Sequence, residues 1–168
     1  MQALLELDAR LSARLQVAER PGTLRSLAIL LAHSGDSWFW LIGLGLAWYF
    51  GDATWEQRVK ILAFGILITA ALVMAIKFTI RRRRPAGKWG AIYRNTDPHS
   101  FPSGHAARAL MLAVLASGLG PGWFTLALLV WSPLMVLARV AMGVHYLSDV
   151  IAGGLIGALI GFGILQFI

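Results

Sequence analysis

The sequence predicts an all-α integral membrane protein: one bundle of five transmembrane helices, or six, with N-terminal interfacial amphipathic helices. Hydrophobic residues make up 58% of the 168 residues and charged residues only 14%, and the mean hydropathy is +0.69, far from the average of soluble proteins. Several apolar runs approach the ~20 residues that a helix needs to cross a bilayer. Only short polar or glycine-rich breaks separate these runs, so we expect residues 1–168 to form a single membrane-embedded domain.

The first 33 residues have the pattern of helices that lie in the membrane interface. Leucines recur at helical spacing, opposite acidic and basic residues, at Leu4, Leu7, Leu11 and Leu15. Such a face predicts an amphipathic helix at the membrane surface, which ends at Pro21 and Gly22. Residues 24–33 are apolar but too few to cross the membrane, so we expect a partly embedded helix there. If this segment did cross, the bundle would have six spans. We therefore assign 1–33 to interfacial helices and 34–168 to the transmembrane bundle.

Five apolar runs predict the transmembrane helices, near 37–51, 61–80, 104–119, 123–142 and 148–168. We expect a polar turn at 51–60 between the first two spans and a basic loop at 81–101 between the second and the third. Alternating crossings place the N-terminal helices, this loop and the 143–147 loop on one face of the membrane. That face collects the polar residues, so the chemistry is expected there.

The stretch HYLSD places His145 and Asp149 four residues apart, on one side of a helix start. A carboxylate at that spacing can hold one imidazole nitrogen and raise the basicity of the other, as in hydrolytic triads. A structural polar contact would use the same pair. Arg139 ends the preceding span, and an ionisable residue at membrane depth favours a functional site.

The stretch PHSFPSGHAAR contains a second helix start. Ser103 is a good N-cap and Gly104 allows close approach to the backbone, so the N–H groups of the first turn are available to an anion. His105 in that turn is placed to donate a proton to an oxygen of the anion. The alternative is an ordinary capped helix with an interfacial histidine.

The stretch KFTIRRRRP ends the second span with basic residues, of which Lys77 and Arg84 bracket the run. Lysine and arginine at such a boundary often only contact lipid headgroups. Taken by itself, this run therefore favours a solvated anchor at the membrane boundary.

Together these stretches resemble the type 2 phosphatidic acid phosphatase family, the membrane relatives of vanadium haloperoxidases and bacterial acid phosphatases. The signature of that family is K-x6-R-P, then P-S-G-H, then S-R-x5-H-x3-D. Here it occurs as Lys77 with RP at 84–85, PSGH at 102–105 and ARVAMGVHYLSD at 138–149. Order and spacing agree, and the one departure is Ala138 in place of serine, which removes a hydroxyl near the phosphate.

The resemblance implies a lipid phosphatase that needs neither a metal ion nor a cofactor. His145 would attack phosphorus and form a phosphohistidine, with Asp149 orienting it. His105 would protonate the leaving oxygen and then activate water. The remaining signature positions would bind the phosphoryl group through Lys77, Arg84, Ser103, the Gly104 N–H and Arg139.

Several lipid phosphates fit this interpretation: a polyprenyl phosphate or diphosphate, phosphatidylglycerophosphate and phosphatidic acid. A prenyl-chain lipid is favoured, and the short loop over the site favours a simple phosphate end. The alternative is a non-catalytic membrane module or transporter that binds anionic lipid through the same cations. The formal net charge of +7 does not predict nucleic-acid binding, because the charges lie at membrane boundaries.

Residues outside the signature are expected to have other roles. Three arginines would contact headgroups or set the topology, namely Arg81, Arg82 and Arg83. Arg108 would reach the mouth of the site or pair with a headgroup, and His33 and His99, which have no matched partner, would be bystanders. Glycines at every fourth position of the last span predict close helix packing, inside the bundle or in a homodimer, at Gly153, Gly157 and Gly161.

We expect a multi-pass protein of the cell inner membrane. Most basic residues outside the signature lie on the site face, at Arg10, Arg14, Arg20, Arg25, Arg81, Arg82, Arg83, Lys88 and Arg94. The opposite face has only Arg58 and Lys60, so the positive-inside rule favours a cytoplasmic site. The resemblance favours the outer side, where many bacterial relatives act. The charge distribution tips our expectation slightly toward the cytoplasm.

Overall fold

The computed structural model describes residues 2–87, 89 and 97–168. Seven α-helices are described, and β-pairing in the described residues is limited to an isolated bridge between Arg83 and His99. The helices are α1 (Gln2–Leu15), α2 (Thr23–Ser34), α3 (Ser37–Phe50), α4 (Ala53–Ile80), α5 (Gly104–Leu119), α6 (Gly122–Ala141) and α7 (Leu147–Leu165). The predicted all-α fold is confirmed.

Three of the described helices, α4, α6 and α7, are long and apolar enough to cross a membrane. Helices α2 and α3 meet the same criterion only as a pair, and a bend of 60° separates them. Helix α5 is apolar but shorter, at 16 residues. The five predicted spans therefore coincide with α3 to α7 in a multi-pass membrane protein. A total of five or six crossings, with α1 and α2 in the interface, stays a prediction.

The expected polar turn at 51–60 is wrong, because α4 begins at Ala53 and runs for 28 residues. The Asp52 carboxylate accepts a hydrogen bond from the Trp55 backbone N–H at 2.9 Å and caps the helix. At 1.5 Å per residue α4 is about 42 Å long, which exceeds the hydrocarbon thickness. Its charged first turns are therefore free to extend beyond the apolar layer, which is why hydropathy alone missed them.

Helix α5 lies at the centre of the bundle, and most of its side chains are buried against α4, α6 and α7. Helix α7 approaches it closely through the glycine stripe. A β-carbon at Gly153 would collide with the Ser103 carbonyl oxygen, and one at Gly157 with the Ala107 carbonyl oxygen. Packing inside the bundle is thus confirmed as the role of the stripe. The stripe is covered by α5, so a homodimer would have to use another face of α7.

Candidate active site

The predicted site residues converge at one end of the bundle. Side chains from the end of α4, the start of α5 and the segment before α7 line a cavity of about 190 Å³. Lys77, Gly104, His105 and His145 are among its lining residues. Arg139, 1% exposed, lies in the last turn of α6 and donates to the Ala32 carbonyl oxygen at 3.5 Å.

His145 lies in the loop between α6 and α7 and is 1% exposed. Its Nε2 is 3.3 Å from Nη1 of Arg84, and because arginine only donates, Nε2 accepts. The hydrogen is then on Nδ1, which faces Oδ2 of Asp149 at 3.6 Å, beyond hydrogen-bond distance. Burial lowers the pKa of His145 to about 3, and Arg84 and Arg139 add to the shift while Asp149 opposes it. The imidazole is therefore neutral at physiological pH, and its Nε2 lone pair points at the Arg84 guanidinium.

Asp149 is held by a charged partner that the sequence analysis assigned to lipid headgroups. Arg82 donates from Nη1 to Oδ1 of Asp149 and from Nη2 to Oδ2 of Asp8, each at 2.7 Å. Burial disfavours the Arg82 charge, but the hydrogen bond to Asp8 and the attraction of Asp149 outweigh it and raise the pKa of Arg82. The expectation for Arg82 is thus wrong, because the buried carboxylate needs a counter-charge. Arg81 and Arg83 are exposed, as expected.

Lys77 and Arg84 share one carboxylate, which the sequence analysis did not identify. Oδ2 of Asp97 accepts from Nζ of Lys77 at 2.5 Å and from Nη2 of Arg84 at 2.8 Å. Lys77 also donates to the carbonyl oxygen of His99, whose ring packs edge-on against Phe78. The two motif cations therefore converge on one anionic oxygen, as binding of a phosphoryl oxygen would require.

Ser103 is the N-cap of α5, as predicted, and its hydroxyl accepts from the Ala106 N–H at 3.4 Å. The first turn of α5 lines the cavity through Gly104 and His105. Nε2 of His105 is 2.8 Å from Oδ1 of Asp36, in the break between α2 and α3. This arrangement places a positive helix end and a potential proton donor at the same cavity.

Two expectations for other residues are resolved by the contacts around Asp36. His33 is not without a partner, because its Nδ1 is 3.1 Å from Oδ2 of Asp36. Arg108 is buried, lines the cavity and donates to Ser37 Oγ at 2.7 Å and to the Gly35 carbonyl oxygen. It therefore reaches the site and does not pair with a headgroup.

Comparison with known proteins gives a consistent result. The sequence profile of the PAP2 superfamily matches residues 58–168. Decaprenylphosphoryl-5-phosphoribose phosphatase of Mycobacterium tuberculosis is 32% identical over 158 residues, which are 93% of this chain and 86% of that protein. Undecaprenyl-diphosphatase of Sulfolobus acidocaldarius is 31% identical over 150 residues, which are 83% of this chain and 68% of that protein.

Two crystal structures share the fold. A transmembrane PAP2-type phosphatidylglycerolphosphate phosphatase from Bacillus subtilis aligns with a TM-score of 0.78 at 24% identity, over 99% of this chain and 87% of that one. LpxE from Aquifex aeolicus aligns with a TM-score of 0.74 at 27% identity, over 96% of this chain and 94% of that one. The bundle around α5 is therefore shared with membrane enzymes of known structure.

Proposed function

Because this chain belongs to the PAP2 superfamily and is a lipid phosphatase, we propose that it acts through a phosphohistidine at His145. The proposed reaction needs no metal ion, since Lys77, Arg84 and Arg139 supply positive charge to the phosphoryl oxygens. The proposed substrate is a prenyl-chain lipid bearing a phosphate or diphosphate.

The observation that carries the proposal is the composition of the 190 Å³ cavity. Its polar end contains Lys77, His105 and His145, and its other wall is formed by α4 residues, Thr69, Ala70, Val73 and Met74. The wall extends about 7.5 Å along the helix from Thr69 to Met74, and Thr69 lies about 12 Å along the helix axis from Lys77. Ala70 and Met74 are exposed, so the cavity opens toward the surface that lipid would contact. A phosphate with an apolar chain matches this shape.

In the first step, the Arg84 N–H moves from Nε2 of His145 to a phosphoryl oxygen, and Nε2 attacks phosphorus while the bond from phosphorus to the lipid oxygen breaks. His105 donates its proton to that oxygen, which leaves as an alcohol or, from a diphosphate, as a phosphate. The Nδ1 hydrogen of His145 faces Asp149, and this carboxylate stabilises the positive ring.

In the second step, water attacks phosphorus and the bond to His145 breaks. His105 takes a proton from the water and so returns to its starting state, by microscopic reversibility. Ser103 and the Gly104 N–H add hydrogen bonds to the phosphoryl oxygens at the start of α5. Each signature residue thus has a proposed task, and His105 has two.

The proposed substrate class is supported by the relatives. The two named above act on a decaprenylphosphoryl sugar phosphate and an undecaprenyl diphosphate according to their names. Both lipids join a long prenyl chain to phosphate, which matches the apolar wall on α4. We therefore place prenyl lipids ahead of phosphatidylglycerophosphate and phosphatidic acid.

The proposed location is the cell inner membrane with the site facing the cytoplasm. Arg58 lies at the far end of the bundle, where its Nε donates to the Leu119 carbonyl oxygen at 2.6 Å. Most described basic residues lie at the site end, as the positive-inside rule requires of the cytoplasmic face. Lys88 and Arg94, which the sequence count included, lie outside the described residues.

A phosphate-release panel tests the proposal. Purified protein in detergent micelles is given undecaprenyl phosphate, undecaprenyl diphosphate, phosphatidylglycerophosphate and phosphatidic acid, with and without EDTA. We expect release to be fastest from a prenyl lipid, to survive EDTA, to be inhibited by vanadate and to be abolished in His145→Ala. Loss of activity in EDTA that magnesium restores would contradict the metal-free reaction. No release from any lipid would leave only the binding-module interpretation.

A further inference from the structure

The break between α2 and α3 brings a carboxylate to the proposed general acid. Asp36 contacts two histidines, with Oδ1 2.8 Å from His105 Nε2 and Oδ2 3.1 Å from His33 Nδ1. The side chains of Asp36 and His105 are 19% and 18% exposed, whereas that of His33 is 48% exposed. Asp36 precedes residues 58–168, the part of the chain that the superfamily profile matches.

Several contacts hold this break against α5 and α6. Arg108 donates to the Gly35 carbonyl oxygen and to Ser37 Oγ, on either side of Asp36. Trp131 of α6 donates from Nε1 to Ser34 Oγ at 2.8 Å. A β-carbon on Gly35 would lie only 3.0 Å from Cδ2 of His105 and 2.9 Å from Sδ of Met135. The glycine therefore permits the close approach, and the hydrogen bonds fix it.

The contact determines which nitrogen of His105 can exchange a proton with substrate. An ionised carboxylate only accepts hydrogen bonds, so Nε2 carries a hydrogen in either protonation state of the ring. The proton that moves is then on Nδ1. Without the carboxylate the neutral ring is free to adopt the other tautomer or to rotate.

The charge of Asp36 also matters for the two steps. The cavity that His105 lines also contains the side chains of Lys77 and Arg108, which are cations, the Asp97 carboxylate and the His145 ring. A carboxylate in direct contact with the ring stabilises the protonated form that must donate to the lipid oxygen. The same carboxylate holds the ring in place when it takes a proton from water.

We propose that Asp36 is a positioning residue that fixes the tautomer, orientation and charge of His105, with His33 holding its second oxygen. This inference rests on the proposed function, because it assumes that His105 is the acid and then the base. Asp36 acts through His105 and does not touch the substrate.

Asp36→Asn tests the inference, because it keeps the size of the side chain and removes its charge. The full-length protein is assayed by rapid quench with undecaprenyl phosphate, whose leaving group is an alkoxide, and with 4-nitrophenyl phosphate, whose phenolate leaves without an acid. We expect kcat for the lipid to fall about 10–100-fold. With the phenyl ester, phosphoenzyme formation should change less than about threefold, while its hydrolysis slows, so phosphoenzyme accumulates.

Three comparisons separate positioning from a general loss of structure. Asp52→Asn, at the cap of α4, should leave both steps unchanged. Asp36→Glu should recover much of kcat. Adding Asp36→Asn to His105→Ala should cost less than about twofold, since the two residues act as a unit.

The positioning role would be refuted if Asp36→Asn slowed phosphoenzyme formation and hydrolysis equally. It would also be refuted if Asp36→Asn lowered kcat as much in the His105→Ala background as in the wild type. A variant with the kcat of the wild type would refute it as well. If the wild type itself forms no phosphoenzyme from either probe, the proposed function fails, and this inference fails with it.

Discussion

Replacing Arg82 by methionine removes the guanidinium that joins Asp8 to Asp149. The side chain of Asp149 is 0% exposed, that of Asp8 13% and that of Arg82 17%. Breaking a buried ion pair by removing one partner costs about 3–5 kcal/mol, because the other charge stays buried. The outer end of this network is partly hydrated, so we expect the lower end, about 3 kcal/mol.

The matched control is Arg81→Met, at the neighbouring position. Its side chain is exposed and donates only to the nearby Phe78 carbonyl oxygen among the contacts described, so its loss should cost less than about 0.5 kcal/mol. At 2–4 °C per kcal/mol, Arg82→Met should lower the thermal midpoint by about 6–12 °C, followed by tryptophan fluorescence in detergent at pH 7. Midpoints of the two variants within about 1 °C of each other would refute the assigned network.

Four further predictions concern other parts of the molecule. The pKa of His145 is about 3 when folded against 6.5 ordinarily, so only the unfolded chain takes up this proton as pH falls from 6.5 to 3. Between pH 6.5 and 3, the free energy of unfolding of the wild type should fall by up to about 1.4 kcal/mol per pH unit more than that of His145→Gln. Parallel plots of unfolding free energy against pH for the two proteins would contradict this. Gly157→Ala should destabilise the fold by about 1–3 kcal/mol, because the new methyl group collides with the Ala107 carbonyl oxygen. Gly163→Ala should not destabilise it, because the space around that glycine is open. Equal thermal midpoints for the two variants would exclude the close packing of α7 on α5. Asp97→Asn should lower KM, because its carboxylate occupies the two motif cations, and an unchanged KM would show that it does not compete. A reporter that fluoresces only in the cytoplasm, fused to the C-terminus, should stay dark, because α7 carries that end about 28 Å from the site; bright fluorescence would place the site outside.

The helices were predictable because membrane spans are long, apolar and separated by polar breaks. The interval 104–119 coincides with α5, and the last two spans differ from α6 and α7 by one to three residues at each end. The start of α4 was missed because a helix that leaves the apolar layer no longer has to be hydrophobic. Hydropathy identifies the buried length of a helix and not its whole length.

The signature residues were predictable because their spacing is local. His145 and Asp149 are four residues apart, and Ser103 to His105 are consecutive. Their partners come from distant segments: Asp36 is 69 positions from His105 and Arg82 is 67 from Asp149. Only the folded bundle brings such pairs together.

One signal in the sequence could have found these partners. Fifteen basic residues face only eight acidic ones, and a buried cation needs a counter-charge. Four of the eight lie at the site, namely Asp8, Asp36, Asp97 and Asp149. Acidic residues on the site face of the topology were therefore strong candidates for partners of the signature cations.

The proposed function depends on the transfer of phosphate through a covalent bond to Nε2 of His145. The most direct measurement is to quench wild-type protein during turnover of labelled lipid phosphate, at alkaline pH, and to map the labelled peptide by mass spectrometry. We expect label on His145 in the wild type, more label in His105→Ala with a phenyl ester, and none in His145→Ala. Label on another residue, or full turnover by His145→Ala, would contradict it.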